Sequence, residues 1–257
     1  MTRALASIIV AVMLLMTSCS THKQLPAIYY STPVKQDAAI DAAQDSGHLS
    51  WWVYRYRVNW PEENDSPDFA VDLLLAHALV EPVLAEYSKQ LLWWRFHRRA
   101  ARKPPGHQFS FMFYSDRPTA IKVINTLDSE PLLAKLKDSK LVLNTLSSDT
   151  NKTADSAIEA YSDHSWPVAI QKTWPSYIMG VSAFWLALID EIMAEQTVPG
   201  EDSVAGTSKI DYLLEQYRQI DNEIAIMWQQ HGQHVLLHHM SALFGYKPMR
   251  LEKDVIY

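Results

Sequence analysis

Between residues 51 and 60 large apolar side chains alternate with smaller or charged ones. Trp52, Tyr54, Tyr56, Val58 and Trp60 fall on one side; Val53, Arg55, Arg57 and Asn59 fall on the other. A period of two predicts a half-buried strand. After an acidic turn, Pro61 to Pro67, the period changes. Phe69, Leu73, Leu74, Leu75, Leu79, Val83 and Leu84 recur at helical spacing within Asp68 to Lys89, and Pro82 predicts a kink. Leu91 to Arg99 alternates again, with Leu92, Trp94 and Phe96 together. Lys103-Pro104-Pro105-Gly106 is a turn signal, and His107 to Ser115 reads as a third strand with Phe109, Phe111 and Phe113 on one face. Pro118 opens a helix that runs to Leu136 with a break at Pro131. Lys140 to Leu146 is a short fourth strand.

The order βαββαβ predicts an α+β fold in which helices cover one face of an antiparallel, ferredoxin-like sheet. Beyond residue 146 the pattern is helical. Trp174 to Met193 is apolar nearly all round, with Pro175 expected in its first turn. Its uncharged stretch ends at Asp190, short of the ~20 residues that a membrane span needs, so a buried core helix is expected. Thr197 to Ser208 is a loop. Ile210, Leu213, Leu214, Tyr217, Ile224, Trp228, Val235 and Ala242 then mark one stripe of a long last helix, with Gly232 as its weak point.

The N-terminus follows a different logic. Arg3 precedes an apolar run, Ala4 to Met16, which leads through Thr17 and Ser18 to Cys19, the one cysteine of 257 residues. The run fits a cleaved secretory signal. Met16-Thr17-Ser18-Cys19 resembles the lipobox of bacterial lipoproteins, in which the cysteine is acylated and becomes the first mature residue; a signal peptide with an incidental cysteine is the alternative. The expected organisation is a signal peptide at 1–18, a tether at 19–50 and one α+β domain at 51–257. Within that domain, 51–146 holds the βαββαβ part and 147–257 the helical part. Ser20 resembles the residue that sends lipoproteins to the outer membrane, facing the periplasm. Fully extended, the tether's roughly thirty residues would reach ~100 Å.

The anchor narrows the functional classes. Removing residues 1–18 takes Arg3 from the 23 basic residues and leaves 22 against 29 acidic ones, net −7. That balance argues against nucleic acid as a partner. With Cys19 acylated, no disulfide, thiolate metal site or cysteine nucleophile is expected. No phosphate loop, HExxH or GxSxG occurs, and Gly180-Val181-Ser182 reads as a helix-packing site.

Two clusters remain. Lys89, Arg95, Arg98, Arg99, Arg102 and Lys103, with His97, form a basic run without an acid. Arg95, His97 and Arg99 share one strand face, and Arg55 and Arg57 share another. Turned away from the helices, they would suit a carboxylate or phosphate; paired with Glu62, Glu63, Asp190 or Glu191, they would be structural. His231, His234 and His238 lie on one helical face beside His239. They border the apolar stripe and lack a further ligand, so no metal or other cofactor is expected.

Several of these strings resemble the C-terminal domain of lantibiotic dehydratases, found free-standing in thiopeptide-type bacteriocin biosynthesis. Trp51 and the Asp68 to Lys89 helix match its opening. Trp94-Arg95-Phe96-His97-Arg98-Arg99 resembles its Trp-Phe-Phe-x-Arg-Tyr strand and places Arg98 on the family's arginine. His107 heads the third strand as in the family, and His239, Leu243 and Gly245, with Glu252 beyond, resemble its closing string. Such domains eliminate glutamate from glutamylated Ser or Thr of a peptide. Here both arginines of the third strand are missing, and Ser241-Ala242 stands where Asn-Arg belongs.

The resemblance therefore implies a non-catalytic descendant. It is expected to be a lipid-anchored envelope protein that binds a peptide or anionic ligand through Arg98, Arg95, Arg55, His107 and His239. A structural lipoprotein contacting envelope proteins and a peptide-modifying lyase are the alternatives.

Overall fold

Alternation becomes a sheet because each strand has one face to bury. The structure, a computed structural model, describes residues 48–64, 66–152, 154–195 and 209–247. The expected signal peptide with Cys19, most of the expected tether, the expected loop after Glu195 and Glu252 lie outside the described residues.

Strands β1 (Ser50–Val58), β2 (Trp93–Arg99), β3 (Gln108–Ser115) and β4 (Val142–Ser147) form one antiparallel sheet in the order β2-β3-β1-β4. The α+β class expected from the pattern is thus the observed one. Trp60, expected within the first strand, lies beyond it, and its Nε1 donates to the Asn64 carbonyl (3.0 Å).

Helices α1 (Ala70–Leu74) and α2 (Glu81–Glu86) are joined by a π-helical turn, Leu75–Val80. The distortion expected at Pro82 is this widened turn, just ahead of the proline, which sits in the first turn of α2 where its missing N–H costs little. Between β3 and β4 come α3 (Arg117–Ser129) and α4 (Pro131–Asp138), separated at Glu130. Asp116 caps α3 by accepting from the Thr119 N–H at 2.7 Å. All four helices pack on the sheet face formed by Trp52, Tyr54, Tyr56, Val58, Phe96, Phe109, Phe111 and Phe113.

Helix α5 (Val168–Glu195) departs from expectation twice. It begins six residues earlier than predicted, so Pro175 lies inside it rather than in its first turn. It is also buried along only one stripe. Ser182, Ala183, Leu186, Ile189 and Ile192 are covered, while Tyr177, Val181 and Phe184 are exposed. By length and composition it could cross a membrane, but its buried side belongs to the core. Along the edge of the sheet, the Ser182 Oγ accepts the Phe96 N–H at 3.1 Å and donates to the Ile178 carbonyl at 2.8 Å. The Gly180–Ser182 string thereby satisfies a donor on an edge strand. The contact is made by Ser182; a Cβ added at Gly180 would meet no described atom within 4 Å.

The last helical stretch is α6 (Lys209–Gly232), a second π turn (Gln233–His238) and α7 (His239–Leu243). The regular helix gives way directly after Gly232, where a Cβ would stand 2.9 Å from the Trp228 ring. Leu214, Tyr217 and Ile220 join the core. Ile224 still packs against it; beyond that the expected stripe leaves the core, and Trp228 and Val235 are exposed among the described residues.

Candidate functional site

The second face of the sheet is divided in two. At one end Trp51, Val53, Trp93, Met112 and Tyr114 form a small core with Leu49. The segment around the 3₁₀ turn Ile158–Tyr161 straps it down: Trp51 Nε1 donates to the Ile158 carbonyl (2.9 Å) and Tyr114 Oη to the Ser156 carbonyl (2.6 Å). Tyr161 meets Trp51 edge-on, with ring centroids 5.8 Å apart.

The other end of this face is basic. Register across β1, β3 and β2 sets Arg55, Ser110 and His97 in one row and Arg57, Gln108 and Arg99 in the next; Arg95 sits one row nearer the strap, opposite Met112. Strand spacing and rise make this a patch about 10 Å wide and ~13 Å long. His97, Arg57 and Arg99 are exposed, and Arg55 and Arg95 are half-buried. Among the described residues, none of these four arginines has an ion-pair partner. Arg55 Nε donates to Ser110 Oγ (3.2 Å), Arg95 Nη2 reaches the Tyr161 carbonyl (3.5 Å), and the buried Arg95 Nε has no partner among the described residues. Burial lowers the Arg95 pKa. Burial, then Arg95, Arg55 and Arg99, holds the His97 imidazole below its usual value. Such a surface can accept a carboxylate or phosphate.

Arg98, on the covered side, is placed differently. Its Nε donates to Asp72 Oδ2 at 2.7 Å and its Nη2 to the Phe69 carbonyl at 3.3 Å, with the guanidinium against the Phe69 and Trp185 rings. His107 lies on the same acid. In the tautomer protonated at Nε2 it donates to Asp72 Oδ2 (3.1 Å); Oδ1, 3.0 Å from that nitrogen, accepts no hydrogen bond of its own. Asp72 and the His107 ring are fully buried. Arg98 and His107 therefore meet, but around an internal acid, and two of the arginine's nitrogens are committed. The four acids expected as arginine partners do not serve: Asp190 faces His77, and among the described residues none of Glu62, Glu63 and Glu191 is ion-paired. Arg102 instead stacks on Trp60 (3.8 Å) and donates to the carbonyls of Pro61 and Asn64.

Arg98 also borders a cleft of about 760 Å³ between β2, α5 and α6, lined by Phe96, Trp185, Ile224 and Trp228, with Asp221 and His231 among its polar groups. Burial raises the Asp221 pKa, and Arg98 opposes the rise. His231, rather than the expected His239, lines this cleft; His239 packs edge-on to His234 and His238, 5.4 Å from each.

Pattern reading missed a third cluster, His77, Glu81 and Asp190. Its one local signal is the four-residue spacing of His77 and Glu81. Asp190 and the neighbouring Tyr217 arrive from distant segments.

No protein-family model, curated protein or solved structure matches this chain.

Proposed function

We propose that this is a lipid-anchored envelope protein whose domain binds an anionic ligand, a carboxylate or phosphate on a peptide or small molecule, without catalysing a reaction. The observation that carries the reading is the open basic end of the sheet, where Arg55, Arg57, Arg95, His97 and Arg99 converge without an acidic partner among the described residues. Planar guanidinium groups suit bidentate recognition of such anions. The strand order is read as ferredoxin-like, which agrees with descent from the lantibiotic dehydratase C-terminal domain. Against the lyase alternative, that family's carboxylate arginine corresponds to Arg98, already held by Asp72 and the Phe69 carbonyl. The apolar cleft, with Trp228 58 % exposed at its edge, supports contact with another envelope protein as a second reading.

The anchor rests on Arg3 to Cys19, with Ser20 pointing to the outer membrane. Cys19→Ala should move the protein from the membrane to the soluble fraction; an unmodified Cys19 in the wild-type protein, read by intact mass, would contradict the anchor. Ligand binding is tested by titrating the full chain in detergent with hexaglutamate and with hexaglutamine. Binding of the acidic peptide alone, weakening steeply with salt, is expected. Equal binding of both peptides, or of neither, would overturn the ligand reading.

A further inference from the structure

On the helix side of the sheet, opposite the basic face, three potential metal ligands converge. His77 lies in the π turn between α1 and α2, Glu81 is the first residue of α2, and Asp190 comes from α5. The His77 Nε2 is 3.1 Å from Asp190 Oδ1 and 3.6 Å from Glu81 Oε2, and the three ligand atoms all lie within 4.8 Å of one another. A tetrahedral ion with bonds of about 2.0–2.2 Å sets its ligand atoms ~3.3–3.6 Å apart. The two separations from His77 Nε2 bracket that edge length, and the two carboxylate oxygens lie no more than 4.8 Å apart, so a modest movement admits an ion.

The surroundings support the same conclusion. Tyr217 of α6 is 2 % exposed, and its hydroxyl lies 2.6 Å from His77 Nδ1. A metal-bound imidazole ordinarily gives its second N–H to such an oxygen, which fixes the ring's tautomer and direction. Here that contact leaves Nε2 facing the carboxylates. The three ligand side chains are 16–27 % exposed, covered enough to hold an ion yet open enough for water to complete its coordination. Two carboxylates facing each other under partial cover are mutually unfavourable. Burial, followed by Asp190, raises the Glu81 pKa to about 7; a cation between them removes that repulsion. Single π turns inside helices also recur at functional sites.

We infer that His77, Glu81 and Asp190 form a three-ligand site for a divalent first-row transition cation such as zinc, oriented by Tyr217. One imidazole and two carboxylates favour such ions over calcium or magnesium, which prefer all-oxygen shells. The ion would brace α2 to α5, with Tyr217 bringing in α6, behind the sheet and apart from the basic face.

The test uses the tag-free full chain, stripped with chelator, loaded with zinc at pH 7.5 and dialysed. One zinc per chain is expected by elemental analysis, with a tetrahedral-type visible spectrum after cobalt substitution. Asp190→Asn should abolish retention, and Tyr217→Phe, which keeps the ring packed, should weaken zinc binding about 10-fold or more. The His234→Ala, His238→Ala double variant should retain the metal in full. Failure of the wild-type chain to hold zinc, retention by Asp190→Asn, or loss in the His234/His238 variant would each overturn the inference. Should Asp190→Asn fail to fold, the Tyr217→Phe affinity and the cobalt spectrum decide.

Discussion

The two faces of the sheet come from the same strands and differ only in which alternate residues they show. The covered face presents Trp52, Tyr54, Tyr56, Phe96, Phe109, Phe111 and Phe113, none more than 7 % exposed. The charge it carries on β2, Arg98, is matched by a fully buried acid, Asp72, supported by His107. The open face carries five basic side chains, and no acid pairs with its arginines among the described residues. The difference follows from dielectric. Two like charges about 10 Å apart in water repel by only ~0.4 kcal/mol, and salt reduces that further. An unpaired charge under the helices would cost several kcal/mol. Counter-charge is compulsory on one face and optional on the other, so unpartnered arginines persist only where water, or a ligand, can reach them.

Breaking the covered face should have the largest effect. Phe111→Ala, at a position with no exposed surface, should lower stability by about 3–5 kcal/mol in urea denaturation. Arg98→Ala should follow at about 2–3 kcal/mol, because it strands the buried Asp72 carboxylate; the arginine's 32 % exposure keeps the figure below that of a fully buried pair. Arg99→Ala, the same residue type on the open face, should change stability by no more than about 0.5 kcal/mol. Equal losses from Arg98→Ala and Arg99→Ala would erase the distinction between the faces.

pH sharpens the comparison, because the two sides titrate with opposite sign. On the helix side, the raised Glu81 pKa means that the folded state holds a proton the unfolded state has released. Stability is therefore greatest below the ordinary carboxylate value of 4.5 and is lost as pH rises to about 7. For a partly exposed group among His77, Asp190 and Tyr217, about 1–2 kcal/mol is expected. On the open face, the lowered His97 pKa acts in reverse, its contribution being complete above the usual 6.5 and lost as pH falls. Denaturation midpoints in chelator from pH 4.5 to 8 should decline for Glu81-containing protein, and the decline should steepen in His97→Gln. A flat profile for wild type and His97→Gln would contradict both assignments.

How much of this was legible depended on range. Period two located the first three strands, a short apolar run located the fourth, and alternation correctly put Arg55, Arg57, Arg95, His97 and Arg99 on the side away from the covered aromatic rows, since it is a local property. Asp72 was not legible. Flanked by Val71 and Leu73 in a helical pattern, it read as an ordinary helix carboxylate, and only the approach of β2 and β3 reveals that it serves Arg98 and His107. The early start of α5 escaped because Pro175 resembles a helix opening, whereas the first turn is set by the Pro167 carbonyl, which accepts from the Ile170 and Gln171 N–H groups. The His77 cluster escaped for the same reason as Asp72: Asp190 comes from a segment distant in the chain and meets His77 and Glu81 only in the fold.

The central claim is that the open basic face, and not Arg98 or the cleft, receives the anion. Calorimetric titration of hexaglutamate into wild type and into the Arg55→Ala, Arg95→Ala double variant tests it most directly. Loss of two charge-assisted contacts should weaken binding at least ~30-fold, with the urea midpoint changed little. Unchanged affinity in the double variant, or an equal loss from Trp228→Ala in the cleft, would contradict the account.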